Sequence, residues 1–142
     1  MKYFIGIDPG VNVGYALWNS QEKKFYCLAT MGFWDTIKKL SELKQEVKQL
    51  YTVVIEDPNL NKPTFFRKGQ NKFMMQKISQ NVGSNKRDAT LLIEWLQYNG
   101  FKIQRVKPTS AKWKDDLFKR LTGHKGRTSQ HVRDAAKLVF GL

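Results

Sequence analysis

Tyr3-Phe4-Ile5-Gly6-Ile7-Asp8-Pro9-Gly10 is an apolar run closed by an acid and then by a turn. Val53-Val54-Ile55-Glu56 repeats the pattern, an apolar strand that ends on a carboxylate. A charged group at the end of a core strand is unfavourable unless a cation compensates it. Near the C-terminus, Gln130-His131-Val132-Arg133-Asp134-Ala135-Ala136 places His131 and Asp134 three residues apart, on one face of a predicted helix. Carboxylates from separate segments, on a chain of formal charge +13, point to a hard divalent cation.

Working outward, Pro9-Gly10 turns the first strand into a second over Asn12 to Trp18. Ser20-Gln21-Glu22-Lys23 turns that into a third over Phe25 to Met31. This reads as an antiparallel meander. A helix is expected from about Asp35 to Leu50, with Ile37, Leu40, Leu43, Val47 and Leu50 on one face. After the Glu56 strand comes an irregular stretch from Asp57 to Asn71, marked by Pro58 and Pro63. Lys72 to Tyr98 reads as helical with Gly83 interrupting it, and Phe101 to Val106 as a fifth strand. Pro108 and Thr109 open a predicted short helix reaching Leu121. Gly123 and Gly126 bracket a loop, and Thr128 caps the last helix. The order β-β-β-α-β-α-β-α-α predicts an α/β domain with a mixed five-stranded sheet.

The 142 residues are expected to form one domain, 1–142, large enough to bury a core. With 41% apolar and 13% aromatic residues, a disordered chain is excluded. A single Cys27 excludes an internal disulfide framework and a multi-cysteine zinc site, and fits a reducing compartment. Cys27 reads as buried filler in a strand. No apolar stretch approaches the ~18 residues of a membrane span, and no secretory apolar region is present. A cytoplasmic location is expected, with no membrane partner.

Charge is concentrated. Lys and Arg number 25 against 12 Asp and Glu, a formal charge of +13. Pro58 to Arg87 holds seven basic residues and no acid, and Lys102 to Arg127 holds nine basic residues and two acids. Such blocks favour a nucleic acid, because neutralising phosphates supplies most of that binding. Arg67, Lys68, Lys72, Lys86, Arg87 and Lys112 are the candidate contacts. Phe65 and Phe66, set beside Arg67 and Lys68, fit base stacking or wedging at a branch point. The alternative is that these rings fold back as a local plug or meet their equivalents in a dimer.

Ile5-Gly6-Ile7-Asp8-Pro9-Gly10, Val54-Ile55-Glu56, Asn85-Lys86-Arg87-Asp88-Ala89, Val106-Lys107 and His131-Val132-Arg133-Asp134-Ala135, in this order, carry a resemblance. Over nearly its full length the chain resembles the RuvC-type Holliday junction resolvases of the ribonuclease H-like superfamily. Its shortness and basic loop look like a phage or viral branch, which would place it in a host cytoplasm. The resemblance implies that Asp8, Glu56 and Asp134 are three of four metal-binding positions, with His131 in the fourth. It implies two Mg²⁺ ions, with Mn²⁺ able to substitute, that activate water and stabilise the leaving 3′ oxygen. It also implies a basic residue, Lys107, near the scissile phosphate, and a homodimer that nicks four-way DNA, here joined through the long helix.

Each residue also has a plainer reading. Asp8 is a possible brace for the Pro9-Gly10 turn. Asp57 follows Glu56, and strand alternation puts only one of them on the active face; Glu56 is favoured, with Asp57 opening the loop at Pro58. His131 is otherwise a base contact or a helix N-terminal residue, and Asp134 a surface partner of Arg133 or Lys137. Asp115 and Asp116 read as a solvated helix face, Asp88 as paired on the long helix, and His124 as a phosphate contact or nothing. Met74, Met75, Ile78 and Val82 read as core or dimer interface. Gly83 is expected to pack closely against the strands or a partner helix, and Gly14 to allow close approach to a phosphate or metal. Trp18, Trp34, Trp95 and Trp113 read as core anchors. Two rival functions stand beside the resolvase: a nuclease on RNA or RNA–DNA hybrid, and a non-catalytic branched-DNA binding module. The second would be free to lose an acid, yet every expected metal position holds a ligand type.

Overall fold

The computed structural model describes residues 2–43, 45–61 and 72–142, without the side chains at 45–46, 72–75, 77–79 and 81–82. Five strands form one sheet: β1 (Tyr3–Asp8), β2 (Asn12–Asn19), β3 (Lys24–Gly32), β4 (Tyr51–Glu56) and β5 (Lys102–Val106). Their order across the sheet is β3-β2-β1-β4-β5. The first three pair antiparallel, while β4 lies parallel to β1 and β5 parallel to β4. The mixed sheet expected from the sequence is therefore the sheet observed.

Strand alternation divides the apolar residues between two cores. Ile5, Ile7, Val13, Tyr15, Val53 and Ile55 point to one face, where Leu40 from α1 (Phe33–Ser41) and Leu92, Ile93 and Leu96 from α3 (Lys72–Tyr98) cover them. Ala16, Trp18 and Val54 point to the other face. Phe118 from α4 (Asp115–Thr122) and Ala135, Ala136 and Val139 from α5 (Gln130–Val139) cover those. Asp8 and Glu56 share the parity of Gly6 and Val54, so they belong to the α5 face.

Helix α5 lies unusually close to the sheet. A Cβ added to Gly6 would sit 2.1 Å from the Ala135 carbonyl oxygen, and one on Gly14 would sit 1.9 Å from that of His131. The two glycines form a shelf on which the helix backbone rests. Gly14 therefore admits a helix, where the sequence suggested a phosphate or metal.

Other expectations are corrected. The single helix from Asp35 to Leu50 is broken: α1 ends at Ser41, and a separate turn, α2 (Gln45–Lys48), precedes β4. Leu50 is needed for the sheet, its carbonyl accepting from the Tyr3 backbone N–H at 2.9 Å. Trp34 is 78% exposed, so it anchors no core. Phe33 and Ile37 pack on the core at one helical spacing, which turns Trp34 outward. Helix α3 runs through Gly83 without interruption, and no described atom lies within 4 Å of where its Cβ would be. Packing against the strands is therefore not the role of Gly83. Helix α4 begins at Asp115, seven residues after Pro108, because the carbonyls of Ala111 and Trp113 are held by side chains of α5. Ser129, and not Thr128, caps α5, its hydroxyl accepting from the Val132 N–H at 3.2 Å. Thr128 instead accepts from Arg133 through both its carbonyl and its hydroxyl. Asp115 is no merely solvated acid, since it pairs with Lys119 at 2.9 Å and accepts from the Thr128 hydroxyl at 3.0 Å. No described helix is long and apolar enough to cross a membrane.

Candidate active site

The ends of β1 and β4 bring the first two acids together. Ile7 pairs with Ile55 in parallel register, so Asp8 and Glu56 are the next residues on adjacent strands. Asp8 also faces Gly14 across the antiparallel pair with β2. Because Gly14 lets α5 rest on the sheet, the first turns of that helix carry Asp134 to the same place. One carboxylate oxygen from each of Asp8, Glu56 and Asp134 lies within 4.8 Å of the others. His131 reaches the cluster from one turn earlier, its Nδ1 3.1 Å from Asp8 Oδ2, and remains 47% exposed.

Three carboxyls in so small a volume repel one another, and burial adds to the cost of ionising them. Glu56 is 8% exposed. Burial first, then the negative charge of Asp8, pushes its carboxyl up to about 7 from the ordinary 4.5, against the opposing pull of Lys112. Burial also raises Asp8, although hydrogen bonds from His131 and Glu56 work against the rise. The site is thus short of positive charge.

Lys112 supplies part of it. Its Nζ donates to Asp134 Oδ2 at 2.9 Å, and the Asp134 side chain is 10% exposed. Partial burial of the Lys112 ammonium, which would lower its pKa, is outweighed by the bond to Asp134 and by the charges of Asp134, Glu56 and Asp8, so the net direction is upward. The other oxygen of Asp134, Oδ1, accepts from Gln130 Nε2 at 2.8 Å. Gln130 is held in turn by Arg133, whose Nη2 donates to Gln130 Oε1 at 3.1 Å. Neither Arg133 nor Lys137 is the partner of Asp134.

Asp57, 1% exposed, belongs to a different structure. Its Oδ1 accepts from the Asn59 backbone N–H at 3.0 Å and from Asn59 Nδ2 at 2.9 Å, and Arg105 lies 3.5 Å from Oδ2. Asn59 Nδ2 also reaches the Lys86 carbonyl and the Thr90 hydroxyl on α3. Asp57 therefore fastens the exit of β4 to the long helix, through a short 3₁₀ turn over Pro58–Leu60.

The remaining candidates are more scattered. Lys107 is exposed and lines a cavity of about 200 Å³ with Glu56, Thr109, Lys112, Asp134 and Lys137. Arg87 is exposed on α3, whereas Lys86 is half-buried. The Lys72 side chain and the side chains of Met74, Met75, Ile78 and Val82 are outside the described ones, and Phe65, Phe66, Arg67 and Lys68 lie outside the described residues. His124 packs edge-on against Phe118, on the α4 side. Asp88 has no ion pair among the described residues. Sequence reading missed Gln130 and Arg133 as supports of Asp134. The spacing of Gln130 four residues before Asp134 was the available signal.

No protein-family model matches the chain, and no curated protein matches it in sequence. Among solved structures, it is similar to T. thermophilus RuvC in complex with a Holliday junction substrate. The TM-score is 0.58 at 13% identity, over 98% of this chain and 91% of that one. The fold is ribonuclease H-like. In this ribonuclease H-like frame Asp8 and Glu56 occupy the C-terminal ends of the central parallel strands β1 and β4, and Asp134 joins them from α5.

Proposed function

We propose that the chain is a divalent-metal-dependent endonuclease that resolves Holliday junctions or other branched DNA by hydrolysing phosphodiester bonds. The observation that carries this reading is the convergence of Asp8, Glu56 and Asp134 within 4.8 Å on a protein of net charge +13. The likeness in fold to a junction-bound RuvC supports the choice of branched DNA.

The residues fit a hard cation. All three donors are carboxylates, which suit Mg²⁺ or Mn²⁺, and their mutual repulsion leaves them under-neutralised. Asp8, Glu56 and Asp134 would hold the metal, with His131 completing the shell from the exposed side. When bound, Mg²⁺ supplies charge neutralisation and a water of lowered pKa. Lys107 and Lys112, on the wall of the adjoining cavity, attract the phosphate that is to be cut. Gln130 and Arg133 fix the plane of the Asp134 carboxylate. Lys72, Lys86 and Arg87 would hold the DNA arms, and Phe65 and Phe66, with Arg67 and Lys68, would meet the branch point. Cutting both strands of a four-way junction needs two such centres, hence a homodimer through α3.

The test is nicking of a synthetic four-way junction with and without Mg²⁺, in competition with an RNA–DNA hybrid of equal length. Preferential, Mg²⁺-dependent nicking of the junction is expected. Preference for the hybrid would make the chain a ribonuclease H-type enzyme, and binding without nicking would make it a binding module.

A further inference from the structure

We propose that Lys112 is a built-in counter-cation of the acidic cluster: it occupies Asp134 until a divalent metal displaces it, and the released ammonium then turns to the substrate phosphate. This rests on the reading that the three carboxylates hold a metal. The Lys112 ammonium donates to Asp134 Oδ2 at 2.9 Å and Gln130 Nε2 to Oδ1 at 2.8 Å, so a metal at Asp134 must share or displace one of these bonds, and the Lys112 bond is the one made by a cation. A divalent ion placed among the carboxylates would repel it.

What moves is confined to one side chain. The backbone on both sides of Lys112 is laced to α5: Lys137 Nζ donates to the Ala111 carbonyl, and Arg133 Nε and Gln130 Nε2 donate to the Trp113 carbonyl at 2.9 and 3.3 Å. The base of the lysine is therefore fixed, and its four-carbon stem is the flexible part. Its ammonium has somewhere to go, because the cavity of about 200 Å³ that it already lines beside Glu56 and Asp134 has Lys107 and Thr109, groups that suit a phosphate, set among the apolar Val106, Ala111 and Leu138. Metal loading and substrate grip become linked events. Without metal the lysine is spent on Asp134, and with metal it is available to DNA.

Lys107 provides the control. It lines the same cavity and carries the same charge, but it makes no bond to Asp134 among the described contacts. Mg²⁺ and Mn²⁺ titrations by calorimetry would compare the parent, Lys112→Met and Lys107→Met in the absence of DNA. Giving up a charge-assisted hydrogen bond opposes metal binding, so Lys112→Met should bind metal about tenfold more tightly or better, with Lys107→Met close to the parent. Equal tightening in the two variants would mean that only the general field of a lysine is felt, and would overturn the proposal. In parallel, reductive methylation mapped by peptide mass should label Lys112 several-fold faster once Ca²⁺ is added. A labelling rate at Lys112 that ignores Ca²⁺ would also overturn it. If neither the parent nor either variant binds Mg²⁺ or Mn²⁺, the metal reading itself falls, an outcome distinct from a parent that binds metal without engaging Lys112.

Discussion

A Cβ on Gly14 would sit 1.9 Å from the carbonyl oxygen of His131, so the strand and the helix that carries two candidate ligands touch backbone to backbone. Gly14→Ala must push α5 off the sheet. Overpacking of this kind costs about 3 kcal/mol, and here the displaced helix also takes Asp134 with it. Denaturant unfolding should show the loss, and calorimetry a weakened metal site. Gly83→Ala is the contrast: with no described atom near its Cβ position, it should stabilise α3 by about 0.5–1 kcal/mol.

Asp8→Asn should abolish nicking and leave junction affinity unchanged or higher. It removes negative charge from the cluster and no basic contact. Gel shifts in Ca²⁺ and nicking in Mg²⁺ measure the two separately. Nicking that survives the substitution would remove Asp8 from the metal shell.

The pH dependence of metal-free stability should run downward. Glu56 ionises near 7 in the folded protein against an ordinary 4.5, so the folded state holds this proton more firmly. The associated stability is full below about pH 4.5 and is lost as the pH rises through 7, and the raised Asp8 adds in the same direction. For Glu56 the loss should be about 2–3 kcal/mol. Thermal melts of the metal-free protein between pH 5 and 8 should show it. Glu56→Gln should flatten the slope, and saturating Mg²⁺ should offset it by binding the ionised carboxylates.

His131→Asp should retain activity and shift metal preference from Mn²⁺ toward Mg²⁺, since imidazole suits transition metals better. His131→Ala should lose most activity. Its ring is half-exposed and touches the cluster through Asp8, so neither change should unfold the protein. Wild-type nicking by the alanine variant in both metals would place His131 outside the shell.

Junction binding should weaken steeply with salt. Each duplex phosphate neutralised contributes about −0.9 to the slope of log K against log salt. Substituting Arg87, exposed on α3, should reduce that slope by about one unit. A nearly flat salt response in the parent would assign the basic blocks to something other than phosphate.

The legible parts of the fold were those with strong local signals. The unbroken apolar runs Tyr3 to Ile7 and Val53 to Ile55 mark both strands, and each run closes on its acid. What the sequence hid was set by contacts between distant segments. Leu50 continues an apolar helical stripe, yet its carbonyl is needed by Tyr3. Trp34 is large and apolar, but α1 turns it to solvent while Phe33 takes the core. Pro108 and Thr109 look like a helix start, but the following carbonyls are claimed by Arg133, Gln130 and Lys137. The same lacing sets Lys112 on Asp134, and nothing in the local pattern around Lys112 announces an ion pair with a residue 22 positions away.

Asp8 and His131 are separated by 123 positions, and they meet only when α5 settles onto the glycine shelf of β1 and β2. Contacts between such remote segments close slowly, since the loop entropy between them must be met before they contribute. Until then the acids are scattered on an unfinished chain that has no place to hold a metal ion. A nuclease of the kind proposed would be inert through most of its own folding, and the ion that arms it would bind only the finished state and stabilise it by mass action.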